Sequence, residues 1–113
     1  MRLKTKKDTF VIEIGDSKTV VLPLTNSQMN ALRSKHTRLK RGVERVDGAA
    51  VSREMFMRVV QSWEGMEDEN GNPLECNRET KLLVYENDED YVLKIFEAID
   101  AKSEERGEFE SKN

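Results

Sequence analysis

The feature that most constrains the fold is an apolar stripe in the middle of the chain. Its members are Met55, Phe56, Val59, Val60 and Trp63. Steps of one, three and four residues are the spacing of one face of an α-helix. We therefore predict a helix that is capped by Ser52, ends near Trp63 and carries the strongest apolar face of the chain.

Two short segments near the N-terminus, residues 9–14 and 19–24, place apolar residues at every second position, on one face of a β-strand. The alternating apolar residues are Phe10, Ile12 and Ile14 in the first segment and Val20, Leu22 and Leu24 in the second. Residues 15–18, which read GDSK, are a turn signal between them. The pattern predicts a β-hairpin with a four-residue loop, and Pro23 makes the second strand an edge strand or ends it.

A further helix is predicted between the hairpin and the central stripe. Thr25 or Ser27 caps it, and it runs to about Leu39. Its narrow apolar stripe consists of Met29, Leu32, His36 and Leu39. Residues 40–50 break the helical pattern twice with glycine, so we predict a mobile loop there.

Two more helices are predicted in the C-terminal half. Asn77 caps a short one, and Asn87 caps the last one, whose first turn is acidic and suits the positive end of the helix dipole. The stripe of the last helix is Val92, Ile95, Phe96 and Ile99. The predicted fold class is α+β, with an N-terminal β-hairpin followed by three to four amphipathic helices. One domain covers residues 1–100, and 101–113 is a charged, disordered tail.

Composition limits the classes of function. The chain has 113 residues, of which 36% are apolar and 36% charged, so one compact core is feasible but a large enclosed cavity is not expected. No apolar run is long enough to span a membrane, and the charged start has no secretory apolar segment. Cys76 has no partner for an internal disulfide, which indicates a reducing cytoplasm.

The charges are divided unevenly along the chain. Residues 1–62 hold 13 basic and 6 acidic residues, whereas residues 63–113 hold 6 basic and 16 acidic. Such a chain can neutralise itself by packing, bind a partner with both faces, or associate head to tail. The densest basic stretch, 33–45, can contact phosphates, but no aromatic residue interleaves it, so we favour a solvated basic face over nucleic-acid binding.

The acidic segment of residues 64–76 invites comparison with a calcium loop. With Gly71 at the invariant glycine position, Met66 and Asn77 fall at the two ends, where oxygen ligands are required. The sequence therefore predicts no metal site here. Asn70 and Gly71 instead predict a tight type I′ turn.

No arrangement of residues indicates catalysis. His36 is the only histidine, and it stands among basic residues in a predicted amphipathic helix. No nucleophile motif, phosphate-binding loop or dinucleotide fingerprint occurs. We predict no catalytic residue, no cofactor and no enzymatic activity.

The C-terminal half resembles small tail assembly chaperones, or closely allied tail proteins, of tailed bacteriophages and prophages. The resemblance covers roughly residues 55–100. The matching residues are Val59, Val60, Trp63, Glu64, Gly65, Asp68, Gly71, Pro73, Leu74, Leu82 and Leu83. Cys76 and Asn77 depart from the pattern, which would place an aromatic residue and then Ser or Thr there, but Asn77 still caps a helix.

The resemblance implies a binding protein rather than an enzyme. It would hold a long tape-measure protein, and possibly contact tail tube subunits, in the cytoplasm of a bacterial host; self-association stays open. The candidate partner-binding residues are Trp63, Gly65, Met66, Asp68, Gly71, Pro73 and Leu74. The alternatives are a small nucleic-acid-associated protein that uses residues 33–45 and a host protein-interaction module.

Overall fold

The computed structural model describes the backbone of residues 8–111 and the side chains of residues 8–103. Its elements in chain order are β1 (Phe10–Ile14), β2 (Ser17–Val21), α1 (Asn26–Lys35), β3 (Thr37–Lys40), β4 (Val43–Val46), α2 (Gly48–Val59), β5 (Val60–Glu64), α3 (Arg78–Asn87) and α4 (Glu89–Ser111). The strands form one sheet in the order β1-β2-β5 and a separate pair, β3-β4. The predicted α+β class, with an N-terminal hairpin followed by helices, is confirmed.

The N-terminal hairpin is tighter than the four-residue loop that we predicted. Ile14 pairs with Ser17, so only Gly15 and Asp16 lie between the strands. Gly15 has a φ of +57°, as the first central residue of a type II′ turn requires. The Ser17 hydroxyl donates a hydrogen bond of 2.7 Å to the Ile14 carbonyl oxygen and thereby closes the turn.

The predicted core face of β2 is wrong. The β1 residues Phe10, Ile12 and Ile14 are half-buried as expected, and they pair with Val21, Thr19 and Ser17. Directly paired residues share a face of the sheet, so β2 buries that set, whereas Val20 lies on the opposite side. The strand does end before Pro23, but β2 is the central strand, because β5 pairs with its other edge.

A hydrogen bond to α4 explains the buried polar residue in β2. The Thr19 side chain is fully buried, and its hydroxyl bonds the hydroxyl of Tyr91, which is 3% exposed. Each hydroxyl therefore satisfies the other inside the core, where an unpaired polar group would be costly. Burial raises the pKa of Tyr91, although the Thr19 contact opposes that shift.

Four residues of the central stripe are buried and Met55 is half-buried, but the stripe belongs to two elements. Helix α2 ends at Val59, and strand β5 begins at Val60 and pairs with β2. The register shifts between Val20, which faces Ser62, and Val21, which faces Val60, so one extra residue is accommodated in β5. This bulge lets Val60 and Trp63 both enter the core although they are three residues apart. The same spacing had suggested a continuous helix.

The segment predicted to be a helix end and a mobile loop is a second β-hairpin. Helix α1 ends at Lys35, where the Thr37 hydroxyl donates to the Arg33 carbonyl oxygen at 2.6 Å. Strands β3 and β4 then pair around Arg41 and Gly42, whose φ angles of +52° and +77° are those of a type I′ turn. Gly42 therefore makes a hairpin turn instead of only interrupting a helix.

The helix caps are partly as predicted. Thr25 caps α1 and Asn77 caps α3, each in a reciprocal capping box. Asp47, not Ser52, caps α2, which therefore begins earlier than expected. Asp88, not Asn87, caps the last helix, because its carboxylate accepts a hydrogen bond from the Tyr91 amide at 3.1 Å. The side-chain amide of Asn87 instead donates to the Leu83 carbonyl oxygen of the preceding helix.

Phe56 lies at the centre of the core. Its ring is fully buried, with centroids 5.5 Å from Tyr85, 6.3 Å from Tyr91 and 6.4 Å from Phe96. These aromatic contacts, two of them edge to face, join α2 to α3 and α4. The α4 stripe packs as predicted, with Ile95 and Ile99 buried.

The backbone of α4 continues through residues 101–111, within the segment for which we predicted a tail. The domain boundary at residue 100 itself stays a prediction. Among residues 8–111, no helix combines the length and the apolar character that crossing a bilayer requires.

The Thr19–Tyr91 hydrogen bond gives a prediction for stability. Tyr91→Phe leaves the Thr19 hydroxyl buried without this partner and should lower the free energy of unfolding by about 1–3 kcal/mol. Adding Thr19→Val removes the second polar group and should recover most of the loss. Chemical denaturation of the two single variants and the double variant measures this coupling; strictly additive losses would contradict it.

Candidate functional site

Six of the seven candidate partner-binding residues lie in one joint, residues 64–76, between β5 and α3, and the seventh, Trp63, lies beside it in β5. The Trp63 indole N–H, at the end of β5, donates to the Leu74 carbonyl oxygen at 2.9 Å. The Leu74 amide in turn donates to the Met66 carbonyl oxygen at 2.8 Å. The chain thus folds back under the indole ring, which is 8% exposed and belongs to the core.

Asp68 organises the tip of the joint. Its carboxylate accepts hydrogen bonds of 2.9 Å from the backbone amides of Asn70 and Asn72. The Gly71 amide donates to the Asp68 carbonyl oxygen. Of the two residues predicted at the centre of the turn, Asn70 and Gly71, only Gly71 has a positive φ, +79°. The predicted type I′ turn at Asn70 and Gly71 is therefore wrong; the turn is of type I, followed by a left-handed glycine.

The hydrogen bonds at this tip also change the acidity of Asp68. The amide of Asn72, and then that of Asn70, lower the pKa of the Asp68 carboxyl because they stabilise its charged form. Among the residues whose side chains are described, no three His, Cys, Asp or Glu residues are grouped so that they can hold a metal ion.

Gly65 holds the joint against the β1–β2 turn. Its φ is +75°, and a Cβ at this position would lie 2.6 Å from the Asp16 carbonyl oxygen. A side chain is therefore excluded by both backbone conformation and space. Gly71 shares the positive φ, but its nearest neighbour would be the end of the Glu67 side chain at 3.9 Å.

Contacts within the joint give most of the candidate residues a structural role. Trp63, Gly65, Asp68 and Gly71 each have a definite role in the turn, and Pro73 forms an isolated bridge with Glu67. Met66 and Leu74 are half-buried. The structure thus brings the candidate residues together, while their contact with a partner stays a prediction.

Sequence reasoning missed a basic ribbon, formed by β3, β4 and their turn. Arg38 pairs directly with Arg45, and Lys40 pairs with Val43, so the cations share one face. Arg41 lies at the tip. Leu39, on the opposite face with Glu44, is 73% exposed. The alternation of Leu39 and Val43 with cations around Gly42 is the sequence signal of these strands, and the prediction of a loop there is wrong.

A basic cleft of about 520 Å³ lies between α1, α2 and α3. Its charged lining residues are Lys35, Arg53, Glu54, Arg58, Arg78 and Lys81, and His36 lines it as well. The Glu54 carboxylate contacts Lys35 and Arg58 at 2.7 Å and His36 at 3.2 Å. The hydrogen bond from Lys35, opposed by burial and supported by His36, lowers the pKa of Glu54.

An acidic cleft of about 520 Å³ lies at the joint, the β1–β2 turn and the start of α4. Its charged lining residues are Asp16, Glu67, Asp68, Asp88, Asp90 and Lys94. Ile14, Met66 and Tyr91 form apolar parts of its wall. The charge asymmetry of the sequence thus becomes two separate surfaces of opposite sign.

An apolar groove of about 670 Å³ runs beside α3 and α4. It is lined by Ser52, Tyr85, Glu86, Glu89, Val92, Leu93 and Phe96. Leu93 is 52% exposed, although it is a large apolar side chain. Glu86 and Glu89 give the groove acidic surroundings.

Comparisons of the chain with protein-family models, curated proteins and solved structures found no match.

The two joint glycines provide a matched test of the geometry. Gly65→Ala and Gly71→Ala each force alanine into a left-handed conformation, which costs about 1–2 kcal/mol. Only Gly65→Ala also brings a Cβ against a backbone oxygen, so it should lower the free energy of unfolding clearly more. Denaturant titration of both variants tests this, and equal losses would contradict the packing of the joint on the β1–β2 turn.

Asp68 should make stability depend on pH in acid. Because its pKa is lowered in the folded state, its contribution is present above the unfolded value, about 3.9, and is lost as pH falls through the folded value. Asp68→Asn keeps an acceptor oxygen but no titrating charge. Its melting temperature should fall less than that of the wild type below about pH 4.

Glu69→Gln is the matched control for this experiment, because it removes the neighbouring carboxylate without touching the hydrogen bonds of the tip. It should keep the wild-type decline in acid. A decline in Asp68→Asn as steep as in the wild type would reject the role assigned to Asp68.

Proposed function

We propose that this chain is a non-enzymatic tail assembly protein of a tailed bacteriophage or prophage. It acts as a chaperone that binds the tape-measure protein in the cytoplasm of the bacterial host. The resemblance of residues 55–100 to such chaperones supports the proposal. The residues that carry this resemblance form one continuous unit, in which Trp63, Gly65 and Leu74 fix the path from β5 to α3.

The apolar groove beside α3 and α4 is the geometric observation that carries the binding function. Leu93 is exposed there, with the rings of Tyr85 and Phe96 half-buried beside it. A groove of this kind suits the apolar face of an amphipathic helix, whose anchors recur every three or four residues. The acidic side chains Glu86 and Glu89 favour a helix that carries Lys or Arg beside its apolar stripe.

This geometry fits the task of keeping a long helical chain soluble. A tape-measure chain with exposed apolar stripes would aggregate if its stripes stayed in water. Covering one stripe segment in the groove removes both the Leu93 side chain and the bound stripe from water. The joint would then serve to position α3 relative to the sheet rather than to touch the partner itself.

Co-expression with a phage tape-measure protein tests the proposal. The wild-type chain should co-purify with the tape-measure protein and raise its soluble fraction. Leu93→Asp places a charge in the groove at an exposed position and should abolish both effects. Leu83→Asp is the matched control, because Leu83 is 58% exposed on α3 but does not line the groove.

The possible results distinguish the chaperone function from the assignment of the apolar groove as the binding surface. A tape-measure protein that precipitates equally with and without this chain would reject the chaperone function. If the wild type protects it but Leu93→Asp protects it as well as Leu83→Asp does, the function stands and the assignment of the groove is wrong.

A further inference from the structure

The basic ribbon carries cations that nothing in the described part of the chain neutralises. The cations Lys35 and Arg58 both pair with the Glu54 carboxylate. Arg38 and Arg45 stand directly opposite each other instead. Like charges at paired positions destabilise a hairpin, so the ribbon has unfavourable charge interactions when it is alone.

The ribbon also exposes apolar side chains on both faces. Val43 lies on the cationic face and is 55% exposed, while Leu39 and Val46, on the other face, are 73% and 52% exposed. A two-stranded hairpin without a covered apolar face is marginally stable in water. Phosphates would neutralise the cationic face but leave Leu39 and Val46 in water. An acidic protein surface with apolar walls matches the ribbon better.

The acidic cleft has this chemistry. Five of the six charged residues that line it are carboxylates, and Ile14, Met66 and Tyr91 add apolar wall. The cleft is concave, whereas the ribbon projects as a strand pair about 13 Å long. In sign of charge the two surfaces are complementary. No ion pair among the described residues joins them within one copy, so they are free to meet between copies.

We propose that the basic ribbon of one copy docks into the acidic cleft of a second copy. A copy that docks by its ribbon still has a free cleft, and a copy that docks by its cleft still has a free ribbon, because the two surfaces are different. Such a contact is heterologous, and it continues as an open chain of copies unless the rotation closes a ring. This self-association is independent of the proposed chaperone function, since neither surface includes the apolar groove.

Charge reversal in the full chain tests the docking. Arg38→Glu with Arg45→Glu reverses the ribbon and keeps a like-charged pair, so the hairpin itself should change little. Glu67→Lys with Asp90→Lys cancels the negative charge of the cleft, because three carboxylates then face three lysines, and it leaves the Asp68 turn and the Asp88 cap intact. Sedimentation of each double variant should show at least a roughly tenfold weaker association than the wild type at low salt. Raising the salt to about 0.5 M should weaken the wild type as well.

Mixing the two double variants is the decisive experiment. The cleft variant keeps an unchanged ribbon and the ribbon variant keeps an unchanged cleft, so the mixture should form the ribbon–cleft contact that neither variant forms alone. Arg53→Glu with Arg78→Glu is the control for the change in net charge, because these cations line the basic cleft and not the ribbon. It should associate normally.

Three results would overturn the proposal. A wild type that stays monomeric at low salt and high concentration excludes self-association. Loss of association in both double variants without recovery in the mixture excludes the pairing of ribbon with cleft. If a labelled DNA duplex binds the wild type and not the ribbon variant, while the protein alone stays monomeric, phosphate is the partner of the ribbon. Circular dichroism melts of all variants check that each is folded.

Discussion

The antiparallel pairing of β2 with β5 is the constraint on which the rest of the structure depends. It places β2 in the middle of the sheet, so that the N-terminal hairpin and the central helix share one core. The Leu22 amide donates to the Val59 carbonyl oxygen at 2.8 Å, at the point where α2 becomes β5. The bulge then turns both Val60 and Trp63 inward. Trp63 in turn fixes the joint, and through it the start of α3.

Local patterns predicted much of this fold because they depend on neighbouring residues. The Thr25 and Asn77 caps, the β1 face and the α4 stripe could all be identified from spacing and side-chain chemistry. The error at Val60–Glu64 has a physical cause. A spacing of three residues has the same appearance in a helix and in a bulged strand, and only the distant strand β2 decides between them. No local pattern contains that information.

The candidate site was predictable in a similar, partial way. The unusual spacing of Trp63, Gly65, Asp68 and Leu74 marked a segment with a definite structure, and the structure brings these residues into one joint. Their hydrogen bonds and close contacts are directed inward, which spacing does not reveal. The basic stretch 33–45 is evident from the sequence, but its hairpin is not, because a glycine such as Gly42 can equally mark a loop. An Arg-Gly turn carries little of the sequence preference that an Asn-Gly turn would show.

The distribution of charge shows what the fold does with an uneven sequence. Packing gathers cations around the single carboxylate of Glu54, including Arg78 and Lys81 from the acidic half of the sequence, and leaves the acidic cleft on the joint side. Repulsion within each surface is tolerable because exposed charges are screened by salt and water. The same exposure keeps the field of each surface available to a partner. A molecule with two separated surfaces of opposite sign therefore orients an approaching charged partner before contact, whichever partner that is.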